Sequence, residues 1–428
     1  MKKLLGFVLV LMMLVSSAVL PALAEEPLQL TMYFPVNVGG DAAKLIDQMT
    51  ADFNAENPDV QVQAVYTGNY DDTVTAIQTA IQGGNAPDLF VSLATQRFTM
   101  ADTKMAMPLD DLIAADPEGQ AFVDDFIDGF MLDSYVDGSI YSIPFQRSTM
   151  VMFYNKDAFE EVGLDPEAPP TTWDEMVEYA QKLTNENRYG VGIALNSGSA
   201  QWAFTGFSLQ NCTNGVGLMS ADGKEVYFNT PENIEALQLW LDLQNKYKCM
   251  APGSVQWTDL PTQFLAGEVA MIYHTTGNLT NIRNNATFDF GVCFLPAGRQ
   301  WGAPTGGGNF YITNGISEER QKAAWEFIKF CCSTERAAQW SIDTGYVATR
   351  ESCYETQLLK DYYADFPQAL VAYEQLPYAQ PELTTYSAAE MWRILNDNIQ
   401  AAVTGERTAA EALEAAQQQG DDLLFDYQ

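Results

Sequence analysis

The sequence predicts an α/β protein of two or three domains, on three observations. Strand and helix patterns alternate near the N-terminus, the alternation restarts near Ser148, and a 428-residue chain exceeds what one domain of roughly 100–200 residues accommodates. Apolar residues make up 47% of the chain and eight tryptophans are present, which excludes a disordered polymer.

Leu28, Leu30, Met32 and Phe34 alternate with Gln29, Thr31 and Tyr33, the period-two pattern of a strand. After Gly39-Gly40, Leu45, Met49 and Phe53 recur every four residues, a helix that Asn57-Pro58 ends. A strand over 60–66, a helix marked by Val74, Ile77 and Ile81 and stopped at Gly83-Gly84, and a strand over 86–93 complete one lobe with a largely parallel sheet. The apolar run 150–154 opens the second series. Thr172 and Glu175 form a capping box at the start of a helix. Thr230-Pro231 opens another, with Leu237, Trp240 and Leu241 on its buried side. Gly267 stops a further helix before a strand over 269–273, Ser317 caps a helix carrying Ala324, Phe327 and Ile328, and 409–424 reads as helical. No internal repeat or long linker separates the two series, so short crossings must join them.

Lys2 and Lys3, the uncharged run 4–20 and Ala22-Leu23-Ala24 have the order of a cleavable secretory signal over residues 1–24. Its strongly apolar part, 4–15, is short for a bilayer core of roughly 30 Å, and the first cysteine is Cys212, too late for a lipid anchor. The expectation is an exported, soluble monomer, periplasmic or extracellular. A formal net charge of −34 argues against a nucleic-acid partner, and any anion site must create its own positive potential. The six cysteines show no C-x-x-C spacing, which excludes a zinc or thioredoxin-like site and leaves any disulfide pairing open. No acidic loop has EF-hand spacing, Gly215-Val216-Gly217 lacks the third glycine of a dinucleotide fingerprint, and no phosphate loop is present, so neither metal nor cofactor is expected. A single histidine, His274, and the lack of G-x-S-x-G or H-E-x-x-H motifs disfavour hydrolytic schemes. Paired carboxylates of a secreted carbohydrate-active hydrolase stay open among 56 acidic residues.

Several stretches, taken in order, carry a resemblance across nearly all of the chain: 53–59 (Phe-Asn-Ala-Glu-Asn-Pro-Asp), Gly68-Asn69-Tyr70, 84–88, Pro144-Phe145 leading to Ser148-Thr149, and 154–159. Gly277 with Asn281-Ile282-Arg283, 290–292, Gly306-Gly307, Thr344-Gly345-Tyr346 and Arg393 continue it. Together they resemble the extracellular solute-binding proteins of ABC importers, of the maltose-binding class, and within that family its glycerol-3-phosphate-binding branch. The resemblance implies a two-lobed periplasmic-binding-protein fold of type II, each lobe a central sheet flanked by helices, with three hinge crossings near 145–148, 284–288 and 343–346. The lobes would be 25–146 with 286–343, and 147–285 with 344–428. A solute held between them would be delivered to membrane permease subunits.

Carried over position by position, the resemblance implies Tyr70, Ser148, Thr276 in the Thr275-Thr276-Gly277 turn, Gly307, Tyr346 and Arg393 as ligand contacts. That set suits glycerol-3-phosphate or a related phosphorylated polyol or glycerophosphodiester: Arg393 is the fork for two oxygens, and hydroxyls and glycine N–H groups complete the shell. Arg147 beside Ser148 would add local potential. Two departures affect the glycerol end: Ala94 stands where the branch has a glutamate, and Phe34-Pro35 replaces a Trp-His pair. Each residue also has a plain reading. Tyr70 and Tyr346 can cover apolar edges, Arg393 can be a surface ion pair, and Gly306-Gly307-Gly308 can be a turn. Trp202, Trp257 and Trp301 can be core rather than stacking surfaces for a sugar. A neutral mono- or oligosaccharide is therefore the alternative ligand, and an aromatic cleft with Arg393 turned away would favour it. A receptor feeding a sensor kinase or chemoreceptor would share the fold.

Overall fold

The structure is a computed structural model that describes residues 26–36, 41–195, 199–213, 215 and 217–428. The expected signal over 1–24 lies outside the described residues.

The first lobe is built as the alternation predicts. Strand Leu28–Phe34 lies between parallel strands Val60–Tyr66 and Leu89–Leu93, with helices Ala42–Glu56 and Tyr70–Gln82 as connections. The third strand begins at Leu89 rather than at 86, because Asp88 is a fastener: its carboxylate accepts from the Thr31 N–H and from Arg320. Beyond this parallel core the sheet turns antiparallel, since strand Ala303–Ile312 runs against Leu89–Leu93 and against Ile143–Asn155.

Ile143–Asn155 joins the lobes. Its first half pairs with Ala303–Ile312, and its second half pairs with Val269–Thr275 and Phe290–Cys293. All thirteen residues are buried. The half covered on both faces by core is apolar on both: Met150, Met152 and Tyr154 enter one core while Val151 and Phe153 enter another. The crossing expected near 145–148 falls within this strand. The one expected at 284–288 lies later. Phe290–Cys293 still pairs with the second lobe's half of the long strand, and the chain regains first-lobe partners only at Gly308 to Ile312. The expected lobe boundary at 285/286 is corrected accordingly. Near the third expected crossing, helix Thr334–Thr344 ends at Gly345 in the left-handed region, and Val347 donates its N–H to the Arg147 carbonyl of the long strand.

The capping boxes at Thr172/Glu175 and Thr408/Glu411 form as sequence dictates. Ser317 occupies the N-cap position of helix Glu318–Cys331, but its side chain makes no capping bond. All six cysteines are free, and all but Cys293 are buried. Among the described residues no helix is long and apolar enough to cross a membrane, and no cluster of His, Cys, Asp and Glu could hold a metal ion.

Candidate ligand-binding cleft

A cavity of about 340 Å³ opens where the two lobes meet. The first lobe contributes Asn69, Tyr70, Asp71 and Leu93, and the second contributes Gln201, Trp202, Trp257, Thr275 and Trp392. The segments passing between the lobes supply Ser148, Gly306, Gly307, Tyr346 and Glu382. Of the expected contacts, Tyr70, Ser148, Gly307 and Tyr346 line the cavity, as do Thr275, Gly306 and Trp202.

Local structure explains how each is held. Asn69 caps helix Tyr70–Gln82 in a reciprocal box with Asp72, which fixes Tyr70 at the first helical position. The Tyr70 hydroxyl donates to Gln146 Oε1 at 3.1 Å and lies beside the Tyr346 hydroxyl. Burial raises both phenols, so both remain neutral donors. Gly307 has φ +95°, and a Cβ there would collide with the Gln146 carbonyl. At Gly306 a Cβ would stand 2.7 Å from the Trp202 ring, so this glycine is what lets the indole lie on the strand and donate from Nε1 to the Thr305 carbonyl at 3.2 Å. Trp257 stands 5.2 Å from Trp202, and Trp392 Nε1 donates to the Leu383 carbonyl at 2.8 Å. Two tryptophans and their hydrogen bonds thus present rigid apolar faces to the cavity, with Trp392 closing the side.

Five expected residues are elsewhere. Arg393 is more than half exposed and pairs with Glu390 at 2.6 Å and Asp397 at 2.7 Å. These acids are three residues before and four after it on helix Ala388–Val403, hence on the same outer face, whereas Trp392, about 100° away around the helix, faces the cavity. Arg147 is fully buried behind the cavity, held by Asp133 at 2.7 Å and Asn309 at 3.1 Å. Thr276 is buried, and its hydroxyl accepts from the Thr149 N–H at 3.4 Å. Ala94 is buried, and its carbonyl receives the Tyr311 hydroxyl at 3.4 Å. Trp301 packs on Phe294 outside the cavity.

The electrostatics follow from that placement. Asp133 binds both Arg97 at 2.8 Å and Arg147, all three buried. Glu382, 5% exposed, lies within electrostatic reach of Asp133 and lines the cavity. Burial and the Asp133 carboxylate push its pKa up to about 8, against the pull of Arg147 and the Thr95 hydroxyl. The ionisable side chains among the lining residues are Asp71, Glu382 and two tyrosines, with no lysine or arginine. Such a cavity offers hydrogen-bond acceptors and aromatic faces, and no fixed cation.

Reading along the chain missed Glu382, Trp392, Gln201 and Asp71. The signal for Trp392 was present, since Trp392 and Arg393 cannot share a face of one helix and Glu390 and Asp397 bracket the arginine. Glu382 carried none, being one of 56 acids in a segment without periodicity.

A deep cleft between two α/β lobes, bridged by strands common to both, defines the molecule as a two-lobed solute receptor. The chain belongs to a family of bacterial extracellular solute-binding proteins, whose model matches residues 48–368. It is 30% identical to the sn-glycerol-3-phosphate-binding periplasmic protein of Pectobacterium atrosepticum, over 90% of this chain and 89% of that protein. The counterpart from Escherichia coli strain K12 is 29% identical, over 92% of each. Among solved structures, the homologous protein of Mycobacterium tuberculosis in complex with glycerophosphocholine superposes with a TM-score of 0.80 at 25% identity, over 94% of this chain and 98% of that one. The cyclic α-maltosyl-1,6-maltose-binding protein of Arthrobacter globiformis matches in fold with a TM-score of 0.80 at 24% identity, over 94% of this chain and all of that one. The fold is that of type II periplasmic binding proteins, and the chain is a solute-binding component of an ABC importer rather than a member of an enzyme family.

Proposed function

We propose that the cleft captures an uncharged, hydroxyl-rich solute, a mono- or oligosaccharide or polyol, and presents it to permease subunits as an exported, soluble monomer. The observation that carries this reading is the lining itself: Trp202, Trp257 and Trp392 with Asp71 and Glu382, and no basic side chain. Sugar rings stack their C–H faces on indoles and give their hydroxyl protons to carboxylates and amides, and this cleft supplies both. A convergent guanidinium is the strongest partner for a phosphate, and neither arginine expected to provide positive potential reaches the cavity: Arg393 points outward, and Arg147 is buried behind the cavity against Asp133. Contacts from both lobes make ligand binding favour the closed arrangement.

A second reading, a phosphorylated polyol or a glycerophosphodiester, draws support from the relatives at 29 and 30% identity and from Tyr70, Ser148, Gly307 and Tyr346 at the cavity. Calorimetric titration of the mature protein with maltose, glucose, ribitol, glycerol-3-phosphate and glycerophosphocholine separates the two. Binding of a neutral member with loss of at least tenfold in affinity on Trp202→Ala is the expected result. Binding confined to the phosphorylated members overturns the first reading in favour of the second.

A further inference from the structure

We infer that Glu382 is the specificity-determining residue of the cleft, the acceptor that takes hydroxyl protons from the ligand and turns anions away. The inference rests on the reading that the solute is uncharged and hydroxyl-rich, and it assigns that selectivity to one side chain. Glu382 follows strand Ala379–Pro381, which lies along Ala303–Ile312 at the junction of the lobes. The carboxyl is thereby carried to the cavity wall, where Trp202, Trp392, Ser148 and Gly306 are its fellow lining residues.

Two features set it apart from Asp71, the other acid of the lining, its burial and the arginines behind it, and a third leaves it open to a ligand. Asp71 lies on the outer turn of its helix and is exposed, with water available to it, whereas Glu382 is nearly sealed. Among the described residues no lysine or arginine stands within ion-pair distance of Glu382, so its oxygens remain available to a ligand. Behind it, Arg97 and Arg147 share Asp133, their only ion-pair partner among the described residues, which leaves one positive charge of that buried group unpaired there. An ionised Glu382 balances that charge. A ligand donating hydroxyl protons draws the carboxyl into its ionised form by stabilising the carboxylate against its burial, whereas a phosphate brought to the same wall opposes that ionisation and meets a second negative charge whenever it occurs. The groups that act on this carboxyl from neighbouring elements are Asp133, Arg147 and Thr95, with Tyr70 also within electrostatic reach, and burial with Asp133 keeps the carboxyl mainly protonated near neutral pH in the empty cleft.

The test is calorimetry on wild type, Glu382→Gln and Glu382→Asp against maltose, glucose, ribitol and glycerol-3-phosphate, with a denaturation curve for each variant to certify folding. Each titration is repeated at pH 7 in buffers of different ionisation enthalpy. The expected result is a loss of ten- to a hundredfold for the neutral ligand in the Gln variant, a smaller loss in the Asp variant, and release of a fraction of a proton on binding to wild type but none to Gln. If a neutral ligand binds wild type and the Gln variant equally well with the same proton count, the role of Glu382 is overturned while the neutral-solute reading stands. If wild type binds glycerol-3-phosphate and none of the neutral solutes, that reading fails and the inference fails with it.

Discussion

Trp257 and His274 stack with ring centroids 3.8 Å apart and planes 21° from parallel, so the only histidine of the chain is the backing of a cleft tryptophan. Its Nε2 meets the Trp257 carbonyl at 3.1 Å and its Nδ1 meets the Asn278 amide at 3.0 Å. These partners require a proton on Nε2 and a lone pair on Nδ1, a neutral imidazole. Burial lowers its pKa to about 4.

The first prediction concerns acid. A histidine depressed from about 6.5 to about 4 contributes stability above pH 6.5 that is lost as pH falls toward 4, at about 1.4 kcal/mol per pH unit. Relative to His274→Gln, wild-type urea midpoints should decline as pH falls from about 6.5 to about 4.5, a difference that isolates the histidine from the opposing titration of Glu382. The same variant should weaken ligand binding, because Trp257 loses its backing.

Glu382 acts at the other end of the scale. Its pKa is raised, so its favourable share is fully present below the ordinary carboxylate range and is lost as pH rises through about 8. Relative to Glu382→Gln, ligand-free wild type should lose stability as pH rises from about 5 to about 8, with no such trend near pH 4. Equal slopes in both proteins count against the assignment.

Arg393→Ala should leave ligand affinity within twofold. Its two ion pairs are exposed and lie wholly on the outer face of one helix, so the unfolding midpoint should hardly move. A tenfold loss in calorimetry would place the guanidinium in the cleft after all.

Asp133→Asn should be among the most damaging single changes. It leaves Arg97 and Arg147 buried without a counter-ion, a loss of about 3–5 kcal/mol by chemical denaturation. A loss below about 1 kcal/mol would mean that Glu382 alone compensates both arginines.

What was legible in the sequence was periodic. The strand at Leu28–Phe34, the helix ending at Asn57 and the capping box at Thr172 announce themselves through residues a few positions apart. The cleft was half legible: Tyr70, Ser148, Gly307 and Tyr346 sit in recognisable motifs, and their motifs bring them together. Arg393 was misplaced because membership of a motif says nothing of helical phase, which Glu390 and Asp397 decide. Glu382 was missed because its meaning depends on Asp133 and Arg147, more than 200 residues away, and on a burial that no local pattern encodes. The second crossing was set too early for a similar reason, since pairing of Phe290–Cys293 with the long strand is a non-local choice.

Ile143–Asn155 belongs to the sheets of both lobes, and its partner Ala303–Ile312 completes the first lobe only after most of the second has been synthesised. The first lobe therefore cannot finish folding as it emerges. Its three parallel strands wait for a segment more than 200 residues downstream, which makes acquisition of the native state a late, whole-chain event. It also means that the lobes cannot be cut apart and expressed as two working halves.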